Sequence, residues 1–281
     1  MSETHPPSED RTIDGAKTKR WVLESGACRE LAAYRIARLG IDVARTPYER
    51  VRTRPAGSFV MATKEGTGRV FLDGRWQAVK SGTTCMAPPR VMNAFTASGG
   101  SPWCFGWIRY DEPPHVQPQV GATAPVRLQG GGDFFRALEG LRDEWEGARD
   151  PKMMHHWVEL VHGMVRRMAS PFREDERLSR IWEAVREKVA YPWSLEELAH
   201  LCHMSPEHLR RICHRELGRT PMQQVASIRM EAARRMLEHT DEKMETIAMA
   251  VGYANASIFS RVFRRVVGLP PHAYRTGDAV D

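Results

Sequence analysis

An internal repeat in the last third of the chain constrains its fold more than any other feature. Ser194-Leu195-Glu196-Glu197 reads as a capping box opening a short helix whose inner face is Leu195, Leu198 and Ala199. A turn through Cys202–Met204 leads to Ser205, a second N-cap, with Pro206 at the first helical position. That second helix turns Leu209, Ile212 and Cys213 inward, and Gly218 is expected as its C-cap. Two short helices around a tight turn make a helix-turn-helix. The pattern then returns. Met244, Ile247 and Ala248 match Leu195, Leu198 and Ala199 at an offset of 49. Past the turn, Asn255, Phe259, Arg261, Val262, Arg265, Gly268 and Pro271 match Ser205, Leu209, Arg211, Ile212, Arg215, Gly218 and Pro221 at an offset of 50. One extra residue around Val251-Gly252-Tyr253 accounts for the shift. Between the repeats, Thr220 caps a helix that Pro221 starts and that runs to about Glu238, with Val225, Ile228, Ala232 and Met236 on one face. Such a connector would fix the separation of the two second helices, and recognition helices roughly 34 Å apart enter successive major grooves of DNA.

The rest of the chain differs in character. Residues 1–18 carry Pro6-Pro7 and scattered charge without periodicity and are expected to be a disordered tail. Short β-like runs follow from about Trp21 to Val126, the clearest being the hairpin Arg69–Leu72, Asp73-Gly74, Arg75–Val79; Asp-Gly suits a two-residue turn because both positions need positive φ. Thr83–Ala87 and Trp103–Tyr110 read as further strands ended by proline pairs. Gly130-Gly131-Gly132 breaks the pattern, and Asp133 is the expected N-cap of a helix carrying Phe134, Leu138, Leu141 and Trp145. A second amphipathic helix carries Met154, Trp157, Val158, Val161, Val165 and Met168 and ends near Pro171; a third covers about 176–190. The expected organisation is thus 1–18 tail, 19–127 β domain, 128–172 helices for packing or dimerisation, and 173–281 helical domain.

Composition bounds the function. With 281 residues, 42% hydrophobic and 27% charged, the chain suits about two packed domains. No apolar run reaches the ~18 residues of a membrane span, and Met1–Lys19 lacks an apolar signal core, so a cytoplasmic protein without membrane partners is expected. The net charge of +6 and pI of about 9.2 permit a nucleic-acid partner without identifying the half that binds it. The count is 24 basic against 19 acidic side chains over 1–172 and 17 against 16 over 173–281. Five cysteines, Cys28, Cys85, Cys104, Cys202 and Cys213, with no C-x-x-C, argue against a disulfide framework or zinc knuckle.

The C-terminal stretch resembles the DNA-binding domain of the AraC/XylS family of transcription regulators. The resemblance is carried by Trp193–Ala199, Met204–Arg211, Ile228-Arg229 with Ala232-Ala233, Ile247-Ala248 with Val251-Gly252-Tyr253, Ser257–Arg265, Gly268 and Pro271–Arg275. It covers about 100 residues, from roughly 176 to 275; Cys213 departs from it, where the family more often has Phe. The resemblance implies an N-terminal cupin-like sensor barrel, with the Asp73-Gly74 hairpin, Lys80-Ser81-Gly82 and Ala87-Pro88-Pro89 in the places of its landmarks. The implied fold is α+β: a cupin-like β-barrel with two following helices, then an all-α domain of two helix-turn-helix units joined by a long helix. It also implies double-stranded DNA as partner, with a small-molecule effector (sugars being the family's habit), a homodimer and RNA polymerase as further partners.

Subtracting the inward positions of each second helix leaves the DNA-facing candidates. In the first they are Glu207, His208, Arg210, Arg211, His214 and Arg215; in the second, Ala256, Ser257, Ser260, Arg261 and Arg264, with Arg265 beside them. Arg pairs bidentately with guanine, Glu accepts from cytosine, and Ala offers apolar contact to a thymine methyl. Glu207, Arg210, Arg211, Ser257 and Arg261 are the expected base readers. Arg215, Arg264 and Arg265 are phosphate contacts or solvated charges, His208 and His214 are solvated or packed in the plainer reading, and Glu207 could simply favour the helix dipole. In the β domain, Trp76, Trp103, Trp107 and Tyr110 could form a stacking wall for a ligand or be ordinary core aromatics. No catalytic residue, metal ligand set or cofactor is expected. The first 150 residues hold only His5 and His115, while His155, His156 and His162 sit on a helix, where solvation or packing is the plain reading. Nucleophile elbow, phosphate loop and dinucleotide fingerprint are all missing. The alternatives are a DNA-recruited cupin enzyme and a regulator whose barrel only dimerises.

Overall fold

The computed structural model describes residues 9–113, 116, 118–120, 124–127, 131–169, 176–217 and 219–276. The chain divides into two compact units, Met1–Ala169 and Ser170–Asp281.

The first unit is built on eleven strands: β1 (Arg11–Ile13), β2 (Lys19–Glu24), β3 (Ile36–Ala44), β4 (Glu49–Arg52), β5 (Phe59–Glu65), β6 (Thr67–Leu72), β7 (Arg75–Lys80), β8 (Thr84–Ala87), β9 (Asn93–Ala97), β10 (Trp103–Tyr110) and β11 (Ala124–Arg127). Three helices accompany them: α1 (Arg29–Ala32), α2 (Gly131–Glu146) and α3 (Pro151–Ala169). The strands form a five-stranded sheet, β1-β4-β9-β6-β7, and a six-stranded sheet, β11-β8-β5-β10-β3-β2. All pairings are antiparallel.

Alternation along the strands makes the layers. Phe59, Met61, Val70, Leu72, Phe95, Trp103, Phe105 and Trp107 come from both sheets and fill the space between them. The opposite face of the six-stranded sheet, with Leu39, Ile41, Val60, Ile108 and Tyr110, packs against Phe134, Leu138 and Leu141 of α2 and Met154, Val158, Val161 and Val165 of α3. Both helices thus bury the faces their periodicity predicts. Gly140 brings them close: a Cβ there would stand 2.3 Å from the Trp157 ring. The β6–β7 hairpin turns on Asp73 (φ 54°) and Gly74 (φ 72°), pairing Leu72 with Arg75 as expected.

Two local expectations are corrected. Residues 1–8 of the expected disordered tail lie outside the described residues, but Arg11–Ile13 form β1 on β4. This short polar strand is held by backbone pairing and by Asp10, which accepts from the Thr53 amide and hydroxyl at 2.7 and 2.6 Å, so it has no apolar alternation to announce it. Asp133 is not an N-cap: α2 begins at Gly131, placing Asp133 in its first turn, where it pairs with Arg136 and Arg167.

The second unit is helical: α4 (Glu176–Glu187), α5 (Leu195–Leu201), α6 (Pro206–Leu217), α7 (Pro221–His239), α8 (Met244–Ala250), α9 (Ala256–Val267) and α10 (Pro271–Thr276). The Ser194–Glu197 capping box forms as read, and the expected Thr220 cap proves to be a second capping box, with Gln223. The expected single face of α7 does not hold. Val225 and Ile228 join the core of the first helix-turn-helix, whereas Met230, Ala233 and Leu237 join that of the second, with Ala232 and Met236 half-buried beside them. One helix serving two cores must shift its buried stripe along its length.

Candidate nucleic-acid interface

The two helix-turn-helix units superimpose in sequence as the offsets require, and the turns show where the extra residue lies. Met204 N–H donates to the Ala199 carbonyl at 3.0 Å, and Tyr253 N–H donates to Ala248 at 2.8 Å, still at an offset of 49. The next helices begin at Pro206 and Ala256, at an offset of 50. The insertion therefore follows Tyr253, at Ala254, rather than within Val251–Tyr253. The left-handed residue of the first turn is His203 (φ 53°), and its counterpart is Gly252 (φ 81°).

Both second helices are anchored at their N-termini by side chains. The Ser205 hydroxyl accepts from the His208 amide at 3.2 Å, and Asn255 accepts from the Ile258 amide at 2.9 Å. Gly268 closes α9 in the left-handed conformation (φ 96°); Gly218, the expected cap of α6, lies outside the described residues. Helix α6 buries Leu209, Ile212, Cys213 and Leu217, and α9 buries Phe259, Phe263 and Val267. Cys213 is fully packed, and burial pushes its thiol up to about 12, so it stays protonated as an apolar filler.

The opposite faces carry the candidates. Glu207, Arg210, Arg211, His214 and Arg215 are exposed on α6, with His208 half-exposed; Ser257, Arg261, Arg264 and Arg265 are exposed on α9, with Ala256 and Ser260 half-exposed. On α6 the arginines run along the helix: Arg210 lies 3.3 Å from Glu207, Arg211 donates to His208 Nδ1 at 2.8 Å, and Arg215 reaches Glu216 at 2.6 Å. Surface pairs of this kind are worth little and exchange readily for a phosphate or a base edge. On α9, no carboxylate pairs with Arg261, Arg264 or Arg265 among the described residues. Two further arginines near these helices do not present a free head group: Arg219 is buried, and Arg275 donates to the Glu242 carbonyl at 2.6 Å.

One exposed residue escaped the sequence reading. Ile258 is 43% exposed on the first turn of α9, an apolar side chain beside Ser257 and Arg261. The signal was present, because the offset of 50 pairs Ile258 with outward-facing His208.

The aromatic candidates of the first unit do not form one wall. Trp103 is packed across Gly68 and donates Nε1–H to the Thr63 hydroxyl at 3.2 Å. Trp107 donates to buried Asp42 at 2.8 Å. Trp76 stands on the outer face of the five-stranded sheet against Phe71. Tyr110 follows an irregularity between Arg109 and Tyr110 and faces α3, with its hydroxyl 3.0 Å from His162 Nδ1. Strand alternation separates Tyr110 from Trp103 and Trp107, and Trp76 lies on the outer face of the other sheet. Of the remaining histidines, His155 and His156 are exposed on α3, and His5 and His115 lie outside the described residues.

Comparison with known proteins joins the two units. Residues 44–116 match the model of an AraC-like ligand binding domain, and residues 198–277 match that of a helix-turn-helix domain. The MmsAB operon regulatory protein of Pseudomonas aeruginosa is 28% identical over 238 residues, covering 80% of this chain and 76% of its own. A helix-turn-helix transcriptional regulator of Mycobacterium tuberculosis is 43% identical over 79 residues, 28% of this chain and 30% of its own length. Among solved structures, the C-terminal domain of AraT, a response regulator from Geobacillus stearothermophilus, is 28% identical, covers 39% of this chain and 91% of that one, and has a TM-score of 0.36. With the doubled helix-turn-helix at one end and the matched ligand-binding segment at the other, the chain belongs to the AraC family of transcriptional regulators.

Proposed function

We propose that the protein is a sequence-specific regulator that reads double-stranded DNA with α6 and α9 and is controlled by a small molecule held in its first unit. The observation that carries this is the pair of side-chain-capped helices, each burying an apolar face and turning arginines to solvent. Glu207, His208, Arg210 and Arg211 on α6, and Ala256, Ser257, Ser260 and Arg261 on α9, face the base edges; Arg215, Arg264 and Arg265 hold phosphates. Ile258 adds an apolar contact to a thymine methyl or a sugar. Such a regulator works in the cytoplasm, as a homodimer, and contacts RNA polymerase where it activates. The names of its relatives support a regulator rather than an enzyme.

Binding to a DNA fragment from upstream of a regulated gene, followed by fluorescence anisotropy, tests the reading. Arg210→Ala or Arg261→Ala is expected to cost about 1–3 kcal/mol on the specific site and little on random DNA. Equal losses on both DNAs would make these arginines phosphate contacts, and no binding at any salt concentration would overturn the proposal.

A further inference from the structure

The space between the two sheets ends in a group of arginines that the aromatic candidates did not suggest. Arg109 on β10 pairs across the sheet with Arg38 on β3 and with Phe59 on β5, so all three side chains share one face. That face is the inner one, because Phe59 and, two residues before Arg109, Trp107 belong to the core between the sheets. From the opposite sheet, Arg52 on β4 reaches in and lies over Phe59 and Phe95, its guanidinium carbon 4.8 and 5.1 Å from the ring centroids. The two rings stack at 5.3 Å, an apolar floor under a charge.

The protein balances this charge only in part: the Asp10 carboxylate acts on Arg109 through its charge, with no ion pair formed. Arg52 Nη1 is buried without a hydrogen-bond partner. Asn93, the cross-strand neighbour of Arg52, has a buried Oδ1 in the same condition, its Nδ2 being spent on the Val91 carbonyl at 3.2 Å. Of the carboxylates nearby, Asp10 accepts from the Thr53 amide and hydroxyl and reaches Arg109 only through its charge, and Glu24 stands 3.7 Å from Arg38 at the surface. Burial, then the charge of Arg109, push the Arg52 guanidinium down to about 9; burial, then Arg38, lower that of Arg109. Arg52 and Arg109 are half-buried as residues, but an unpaired cation with a buried nitrogen is costly, and a neighbouring like charge adds to the cost. Folded chains keep such groups where a ligand supplies the missing partner.

We propose that Arg52 and Arg109, flanked by Arg38 and Asn93, bind the two carboxylates of a small dicarboxylic acid, and that this acid is the class of effector the first unit senses. The inference rests on the effector reading above and narrows it. Two guanidinium groups without carboxylate partners among the described residues match two negative charges, and Asn93 Oδ1 accepts from a hydroxyl or amine on the acid's backbone. A neutral sugar would leave both cations unpaired.

The test uses the full chain, with succinate as the probe and inorganic phosphate, acetate and glucose as comparisons, read by isothermal titration and thermal shift. Succinate is expected to bind and raise the melting midpoint, and Arg52→Gln and Arg109→Gln should each weaken it roughly tenfold to a hundredfold. Arg52→Met, which removes an unpaired buried charge, should leave the ligand-free midpoint unchanged or higher; a large fall would make Arg52 a structural residue and overturn the assignment. Phosphate binding as tightly as succinate would overturn the dicarboxylate class, as would failure of succinate and of its one-carbon-shorter and one-carbon-longer homologues. If glucose or another uncharged metabolite binds and Arg52→Gln does not weaken it, the acid proposal falls while the effector reading stands. If only the effector reading is wrong, succinate binds through these arginines without changing DNA affinity.

Discussion

His162 is a residue whose environment sets a measurable sign. It is half-buried on α3, its Nδ1 3.0 Å from the Tyr110 hydroxyl and its ring 4.8 Å from Tyr34. Burial first, and Arg166 one turn on, hold its pKa below the ordinary value of 6.5. The folded protein therefore takes up this proton at lower pH than the unfolded chain. Above about pH 6.5 neither state binds it and the group is neutral toward stability; as pH falls below that, the unfolded state gains the proton first and stability drops. His162→Gln should shrink the difference in melting midpoint between about pH 7.5 and about pH 5.5. An unchanged difference would show that other groups carry the acid sensitivity. The histidine's position on a packed helix was legible from its spacing with Val158, Val161 and Val165; its tyrosine partners were not, because they arrive from α1's end and β10, more than 50 residues away in sequence.

At the scale of elements, what is local was readable and what is long-range was not. The Asp73-Gly74 hairpin, both capping boxes and the duplicated helix-turn-helix follow from neighbouring residues alone. The order β1-β4-β9-β6-β7 depends on pairings between distant segments. The side taken by Tyr110, by contrast, follows from alternation alone: it stands two residues after Ile108 and shares its face toward the helices. The joint between the repeats is a further case. Arg229 of α7 donates to the Val189 and Tyr191 carbonyls at 3.1 and 2.7 Å and lies over the Tyr253 ring, 5.4 Å from its centroid. It thereby links the end of α4 to the second turn. Gly252 is required there twice over: its φ is +81°, and a Cβ would stand 2.8 Å from both the Ala190 carbonyl oxygen and Arg229 Nη2. Gly252→Ala should destabilise the second unit by about 1–3 kcal/mol. His203→Ala, at the matching place in the first turn, should cost under about 1 kcal/mol, because the native residue there already has a Cβ. Denaturant titration of both variants decides; equal costs would mean that the two turns bear the same constraint.

For the whole molecule, bulk charge points to the wrong end. The excess lies in residues 1–172, at 24 basic against 19 acidic, whereas 173–281 hold 17 against 16. What suits the second unit to DNA is arrangement: from Ser260 to Arg275 there are four arginines and no acid, three of them exposed on α9. Affinity that comes from phosphate neutralisation falls linearly as log K against log salt, with a slope of about −0.9 for each phosphate contacted. Arg264→Ala and Arg265→Ala should therefore each flatten that slope by about 0.9 and weaken specific and random DNA alike. Arg29→Ala, which removes an 87% exposed cation from the more basic unit, should leave the slope unchanged. If Arg29→Ala flattens the slope as much as Arg264→Ala does, the first unit also lies on the DNA and its net charge contributes to binding; if neither does, α9 does not bear on the phosphates and the interface must be sought on α6.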